Sequence, residues 1–251
     1  MSPRFLSVWR RNALVWRKLM WSSLVGNFGE PLFYLLALGY GLGRLVGELD
    51  GMPYLAFLAS GTVCTSAMLA AAFECTYSAY TRLSHQQTWA AQLMTPLSVT
   101  DVVLGEVTWG ATKAMLNAGP IILVAAALGL VADAWALLAL PVLFLLGFCF
   151  AALSLSVTSV ARSYDTFVYY VTLVLTPITL LSGVYFPIDA MPPALQTSMR
   201  FLPLTHAIAL VRPLMTGRPV TDVALHLFVI VLYATAALWL ALVLCRRRMR
   251  R

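Results

Sequence analysis

The chain has 251 residues, of which 61% are hydrophobic and only 11% are charged, and its mean hydropathy is +0.83. Soluble domains are about one-quarter charged, so this composition excludes a soluble enzyme, a disordered protein and a disulfide scaffold. A polytopic membrane protein remains, whose spans must be helices or a closed barrel. The net charge of +7 does not indicate a nucleic-acid partner, because the basic residues cluster at the two ends of the chain beside apolar segments.

The N-terminal segment, residues 1–21, mixes cations with large aromatic side chains. Five basic residues lie before position 20, among them Arg10 and Arg11, and the segment also contains Trp9, Trp16 and Trp21. Cations on one face and aromatic residues on the other are typical of a helix that lies in the membrane interface. We therefore predict an interfacial amphipathic helix before the first span.

Six mostly apolar stretches follow, each long enough to cross the hydrocarbon, which takes about 20 helical residues. We place the six spans at residues 24–46, 54–80, 102–133, 135–161, 167–186 and 223–245. None shows the ten-residue alternation of an outer-membrane barrel. The chain, residues 1–251, is therefore predicted to be one all-α transmembrane domain with six helices.

The distribution of Lys and Arg predicts the orientation of these helices. If both termini are cytoplasmic, twelve basic residues lie in inside segments and four in outside segments, with Lys113 within the third span. Such an excess marks the cytoplasmic side. Both termini are therefore predicted to be cytoplasmic.

The inside segment between the second and third spans, residues 81–101, is polar enough to leave the membrane. Residues 86–94 can form about two helical turns before Pro96 breaks the hydrogen-bond ladder, and Ser98 or Thr100 can cap the next helix. The short helix is expected to expose three apolar side chains: Trp89, Leu93 and Met94. This pattern favours a docking surface for a cytoplasmic partner, and a plain interfacial loop is the alternative.

The outside segment between the last two spans, residues 187–222, is long and contains six prolines. Its apolar residues are too many for a solvated loop. Broken, re-entrant helices in the outer leaflet fit this pattern better, because irregular backbone at membrane depth must be covered by protein.

Four ionisable residues lie within the predicted spans: Glu30, Glu74, Glu106 and Lys113. Such residues are costly and are candidate functional groups by default. Three interpretations stay open for each: lining of a substrate path, buried structural pairing, or snorkelling to the interface. Glu106 and Lys113 are about 10.5 Å apart along one helix, so we expect their partners on other helices. Tyr77 and Asn117 are further polar candidates for the path.

The sequence contains no nucleotide-binding motif that could supply energy for transport. A phosphate-binding P-loop needs Gly-Lys-Ser/Thr, but the two lysines are Lys18, followed by Leu19, and Lys113, followed by Ala114. If ATP drives this protein, a separate subunit binds it. The four cysteines form no Cys-x-x-Cys pair and the three histidines are scattered, so we predict no metal site and no catalytic residue.

These segments in this order resemble the membrane subunits of type-2 ABC exporters. The runs LLSGVYFPIDAMP at 180–192 and LPLTHA at 202–207 are similar to a stretch characteristic of that family. Within it, VWRRN at 8–12 and ATKA at 111–114 are similar to the NodJ family of lipo-oligosaccharide export permeases. Further matches to the same family are Gly26-Asn27, Glu30-Pro31, Tyr40-Gly41-Leu42-Gly43, Thr88-Trp89, Gly105-Glu106 and Ser163-Tyr164-Asp165.

The resemblance implies a homodimer in the bacterial inner membrane, paired with two NodI-like ATPase subunits that bind ATP and Mg. It implies that residues 82–97 form a coupling helix seated on the ATPase. The candidate coupling residues are Arg82, His85, Gln86, Trp89, Leu93 and Met94. The candidate residues of the substrate path or gate are Glu30, Glu74, Tyr77, Glu106, Lys113 and Asn117. The implied cargo is an amphiphile: a lipo-oligosaccharide, a glycolipid or a hydrophobic drug.

Two other classes of function remain as alternatives. An ion- or proton-coupled carrier would use Glu30, Glu74 and Lys113 to move solute without ATP. A membrane enzyme acting on lipid would need acid/base or metal-binding residues that converge at one depth, and the scattered histidines do not indicate such a cluster.

Overall fold

The computed structural model describes residues 4–18, 20, 29, 33, 35–39 and 41–250, and this part of the chain is almost entirely helical. The elements are α1 (Phe5–Lys18), α2 (Gly43–Val46), β1 (Glu48–Leu49), β2 (Met52–Pro53), α3 (Tyr54–Phe73), α4 (Thr88–Leu93), α5 (Val99–Ala127), α6 (Ala139–Val160), α7 (Asp165–Tyr170), α8 (Thr176–Leu180), α9 (Pro193–Met199), α10 (Pro203–Thr216) and α11 (Val223–Met249). The two short strands pair antiparallel as one hairpin. Shorter 3₁₀ turns are Ala134–Leu138 and Ile188–Ala190, and wider π-helical turns are Glu74–Ser78, Thr81–His85 and Val171–Leu175.

Four helical stretches in the described part of the chain are long and apolar enough to cross a membrane: Tyr54–His85, Val99–Ala127, Ala134–Val160 and Val223–Met249. They coincide with the predicted second, third, fourth and sixth spans. The third ends earlier than predicted because Gly129 has a φ of +74°, a conformation that ends a helix.

The other two predicted spans are not matched by helices of that length. The predicted fifth span, 167–186, corresponds to the shorter apolar helical stretch Asp165–Leu180. A turn around Gly183, whose φ is +76°, replaces the end of the predicted helix. Most of the predicted first span, 24–46, lies outside the described residues, as does Glu30.

The long helices pack through small residues. α6 contacts α11, α5 and α3, and α5 also contacts α3. At Gly147 of α6, an added Cβ would lie 3.2 Å from the Cα of Ala111, and at Gly110 of α5 it would lie 2.8 Å from the Cβ of Ala151. Helices in lipid associate by such close backbone approach, so the α5–α6 contact depends on these two glycines.

The bundle has two ends, which we call the α4 end and the α10 end after the short helices found there. Both chain termini reach the α4 end. Arg4 near the start of the chain donates to the carbonyl of Pro96 at 3.0 Å, and Arg248 near the end of the chain donates to the hydroxyl of Ser84 at 3.3 Å. Both partners belong to the segment 81–101, so Arg4 and Arg248 lie on the same side of the bundle.

The predicted N-terminal helix is present as α1 and packs across the first half of α5. Val8 is buried there, and the indole of Trp9 donates to the hydroxyl of Thr112 at 2.9 Å. A Cβ at Gly105 would lie 2.8 Å from the Cγ1 of Val8 and 2.9 Å from the carbonyl oxygen of Phe5. Gly105 therefore sets how closely α1 approaches the bundle.

Replacing Gly105 with alanine is expected to push α1 away from α5 and to lower the free energy of unfolding by about 1–3 kcal/mol, the usual cost of overpacking. Thermal unfolding of the purified chain in detergent measures this loss. Gly41→Ala is the matched control, since a Cβ there meets nothing within 4 Å. Equal stability of the two variants would contradict the close contact.

Candidate coupling site

The candidate site lies at the α4 end and begins where α3 changes its winding. The helix runs on from Phe73 through two π-helical turns, Glu74–Ser78 and Thr81–His85. Wider turns of this kind are rare and are often found at functional sites. Glu74 begins the first of these turns and Arg82 belongs to the second, and Arg82 Nη1 is 2.9 Å from Glu74 Oε1.

Arg82 also binds a second carboxylate, on α5. Its Nε and Nη2 lie 3.1 and 2.6 Å from the two oxygens of Glu106. This two-point geometry is the strongest arrangement of an arginine and a carboxylate. The Glu106 side chain is fully buried. Arg82 therefore joins α3 to α5 through two carboxylates.

Lys113 supplies the second positive charge. Its Nζ is 3.9 Å from Glu74 Oε2 and lies 5.6 Å from the ring centroid of Trp16 on α1. Two buried carboxylates thus face two buried cations, and their formal charges cancel. We call Glu74, Arg82, Glu106 and Lys113 the ion cluster.

A further guanidinium lies near the ion cluster, on α1. Burial lowers the pKa of Arg11, the positive charge of Arg82 lowers it further, and Glu106 partly offsets this. Arg11 Nη1 donates to the side-chain oxygen of Asn12 at 2.9 Å. Arg11 on the N-terminal helix therefore lies within electrostatic range of the ion cluster.

Three of the four ionisable residues of the predicted spans are paired within the ion cluster. Glu106 does not snorkel to the interface, because its carboxylate is buried and bound by Arg82. Glu74 and Lys113 are likewise paired. The partners of Glu106 and Lys113 lie on another helical stretch, Tyr54–His85, as expected from their spacing. Structural pairing is thus the observed state of all three.

The short helix α4 is tied to the same cluster. The side chain of Trp89 is only 1% exposed, and its indole Nε1 donates to Glu106 Oε1 at 3.2 Å. The prediction that Trp89 is exposed on a docking surface is therefore wrong. A buried carboxylate needs every available donor, and Trp89 is one of them. Arg82, another predicted coupling residue, is also largely buried, because its guanidinium binds the same carboxylate.

Other predicted coupling residues do face outward. Met94, at the end of α4, is 88% exposed, His85 and Gln86 are exposed, and Leu93 is half-buried. The His85 ring stacks on Tyr164, with centroids 5.6 Å apart. An outward surface therefore exists, but it is formed by the C-terminal end of α4 and by its flank rather than by Trp89.

The helix after this segment begins with a capping box. The hydroxyl of Ser98 accepts from the backbone nitrogen of Asp101 at 3.2 Å, and the Asp101 carboxylate accepts from the backbone nitrogen of Ser98 at 2.9 Å. Ser98 rather than Thr100 is thus the cap. The hydroxyl of Thr100 instead accepts from Arg246 at 2.9 Å, which adds the last helix to the same end of the bundle.

The remaining path candidates lie apart from the ion cluster. Tyr77 belongs to an aromatic group with Tyr164 and Phe167, and its ring stacks on Tyr164 at 6.2 Å. It also lines an open groove of about 340 Å³ with Phe73, Val168, Val171 and Thr172. Asn117 is half-buried, one turn beyond Lys113 on α5.

At the α10 end lies Arg212, one of the four basic residues of the predicted outside segments, and it contacts buried residues of α3. Its guanidinium donates to the hydroxyl of Ser60 at 3.0 Å and to the carbonyl of Gly183 at 2.8 Å, and it lies 3.6 Å over the ring of Phe57. A Cβ at Gly61 would lie 2.8 Å from the carbonyl oxygen of Val184. Arg212 therefore fastens α10 and the turn at 181–184 to α3. In the sequence, the indication of this buried position was a single arginine surrounded by apolar residues.

Two of the three histidines, treated as scattered in the sequence, meet at this end. The Nδ1 atoms of His206 and His226 are 2.8 Å apart, and His206 Nε2 is 2.8 Å from the carbonyl oxygen of Arg200. They form a hydrogen-bonded pair between α10 and α11. No group of three or more metal-binding side chains occurs among the described residues.

Several apolar helices of membrane-spanning length, joined at one end by buried charges, define a multi-pass membrane protein. Comparison with known proteins gives the family. Residues 3–216 match the ABC-2 type transporter family, and the chain belongs to this family. It is a NodJ-like permease, that is, a membrane subunit of an ABC-type exporter.

The relatives cover nearly the whole chain. Nodulation protein J of Rhizobium leguminosarum bv. trifolii is 50% identical over 100% of this chain and 95% of its own length. Nodulation protein J of Rhizobium meliloti is 46% identical over 98% of this chain and 94% of its own length. The inner membrane transport permease YadH of Escherichia coli is 23% identical over 81% of this chain and 79% of its own length.

Removing one member of the Arg82–Glu106 pair is expected to cost about 3–5 kcal/mol of unfolding free energy, because a charge is left buried without its partner. We expect Arg82→Gln and Glu106→Gln to lose this much singly. The double variant should lose less than the sum, with a coupling of about 2–3 kcal/mol. Denaturant titration in detergent, with tryptophan fluorescence as the signal, provides the double-mutant cycle.

The exposed ion pair Arg218–Asp50, at 4.0 Å, serves as the matched control for this cycle. Its coupling is expected to be at most about 1 kcal/mol, as for other surface pairs. Additive losses at Arg82 and Glu106 would contradict the proposed geometry of the cluster.

Proposed function

We propose that this chain is the permease of an ATP-driven exporter that moves an amphiphile outward, with both termini cytoplasmic, as a homodimer bound to two NodI-like ATPase subunits. The observation that carries the proposal is the link between α4 and the ion cluster. The family of the chain implies an ATPase partner, and the sequence has no P-loop of its own.

Two observations support six spans. Tyr164 lies at the α4 end against His85, whereas Gly183 lies at the α10 end against Arg212. These positions support the proposal that the intervening stretch Asp165–Leu180 is a fifth span, about 24 Å long at 1.5 Å per residue. Likewise α1 packs at the α4 end, and Gly43 lies near Tyr54 at the α10 end. The positions of these two described segments support the proposal of a first span.

We infer that the exposed end of α4, around Met94, sits on the ATPase. Trp89 fixes α4 to Glu106 of α5, and Arg82 fixes Glu106 to Glu74 of α3. A push on α4 therefore acts on two long helices at once. In this mechanism Arg82 and Trp89 transmit the motion from inside the bundle, and Met94, Leu93, Gln86 and His85 form the contact surface.

The cargo is proposed to be a lipo-oligosaccharide, a glycolipid or a hydrophobic drug. The full-length similarity to nodulation proteins J supports a shared type of cargo. The open groove beside Tyr77 is lined mainly by apolar side chains, which suits an acyl chain. Glu30 and Asn117 stay candidates for the path.

The alternative is an ion- or proton-coupled carrier that uses Glu30, Glu74 and Lys113. The geometry disfavours it, because a carrier needs a carboxylate that is free to exchange its cation. Glu74 instead accepts Arg82 at 2.9 Å and faces Lys113 at 3.9 Å. The charge of Glu74 is already balanced within the protein.

The variant Met94→Glu is expected to weaken association with the co-expressed ATPase by at least tenfold, because a charge replaces an exposed apolar contact. Co-purification from detergent extracts measures the association. Met94→Leu, which keeps the contact apolar, and Leu195→Glu, which places the same charge on α9, are the controls and should bind normally. All three variants should unfold at the wild-type temperature.

Transport in vesicles containing both subunits then distinguishes the two mechanisms. Efflux of a fluorescent amphiphile should require ATP, should be lost with Met94→Glu, and should persist with an ionophore. Normal association of Met94→Glu with the ATPase would refute the docking surface. Efflux without ATP that an ionophore abolishes would instead support the carrier.

A further inference from the structure

A basic groove lies at the α4 end, between the last turn of α6 and the last turns of α11. Its volume is about 590 Å³. Arg162, Arg247 and Arg248 line it together with the apolar side chains of Val160 and Leu244, and no acidic residue takes part. None of the mechanism described above uses this groove.

The three arginines have different tasks. Arg248 is committed to the fold, because its Nη1 donates to the carbonyls of Thr158 and Ala161 at 2.7 and 2.8 Å at the end of α6. Arg162 and Arg247 are exposed. Within the described part of the chain, neither of the two forms an ion pair with a carboxylate. They therefore place two positive charges without a bound carboxylate at the opening of the groove.

The wall of the groove continues into an apolar surface. Val160 is 59% exposed, and farther along α11 the side chains of Trp239 and Leu240 are exposed as well. A ligand for this place needs a negatively charged head for the arginines and a hydrocarbon tail for the helix surface. Basic pockets between helices at the cytoplasmic membrane surface bind anionic lipid headgroups for these reasons.

We propose that this groove binds the phosphate headgroup of an anionic phospholipid, with Arg162 and Arg247 as its ligands and the acyl chains lying along α6 and α11. The occupied site would hold the ends of the two helices together beside the capping arginine. Only the assignment to the inner leaflet rests on the proposed orientation of the exporter; the site itself does not depend on the ATPase.

The test uses the full chain purified in detergent, without ATPase, and measures retained lipid by native mass spectrometry. Dioleoylphosphatidylglycerol and dioleoylphosphatidylcholine are the probes. We expect the anionic lipid to bind at least tenfold more tightly, and Arg162→Gln with Arg247→Gln to abolish that preference, since each arginine near the surface contributes severalfold.

Arg10→Gln with Arg250→Gln is the matched control, because both side chains are exposed basic residues outside the groove. It removes the same charge and should keep the preference. Leu244→Phe, which narrows the groove and leaves its charges in place, should reduce binding of the anionic lipid and guards against misfolding of the double variant.

Three results would overturn the proposal. One is an unchanged preference in the Arg162/Arg247 double variant, and another is an equal loss in the Arg10/Arg250 control, which would indicate diffuse charge attraction. The third is full displacement of the lipid by millimolar inorganic phosphate, which would show that the groove binds the free anion. None of these results would contradict the proposed exporter mechanism, which does not depend on this groove.

Discussion

The rest of the structure depends on one physical constraint, the burial of the Glu106 carboxylate in an apolar bundle. A buried charge is tolerated only with partners. Arg82 supplies two hydrogen bonds and Trp89 a third. Meeting this need brings the end of α3, the helix α4 and the start of α5 to one point. Because Trp89 donates one of these hydrogen bonds, the short helix α4 is held in a fixed position.

The opposite end of the bundle uses a different solution. There Arg212 is satisfied by a hydroxyl, carbonyls and the ring of Phe57, without a carboxylate at contact distance among the described residues. The ion cluster and Arg212 thus hold α3 near its two ends. Because α3 also packs against both α5 and α6, it is held along its length, and the proposed displacement of α4 would act on a helix that is fixed in this way.

Much of the fold could be predicted from the sequence. Runs of apolar residues marked four spans, Pro96 and Ser98 marked the break before α5, and the mixed basic and aromatic start marked α1. The pairing of Glu74, Arg82 and Glu106 could not be read from the spacing alone, because it depends on the widened turns and on the contact of two helices. For the same reason Trp89 was expected on the surface, since its amphipathic pattern does not reveal which side faces a carboxylate.

The central claim is that the ion cluster makes α4 and α5 move as one body. Its most direct test is electron–electron resonance on two sets of complexes. In the first set, one copy carries spin labels at positions 94 and 123, both exposed. In the second set, each copy carries a single label at position 123. The four described cysteines are buried and so should stay unlabelled. The account predicts that the distance between positions 94 and 123 stays within about 2 Å when ATP is added, while the distance between position 123 of the two copies changes. A large change between positions 94 and 123 would contradict it.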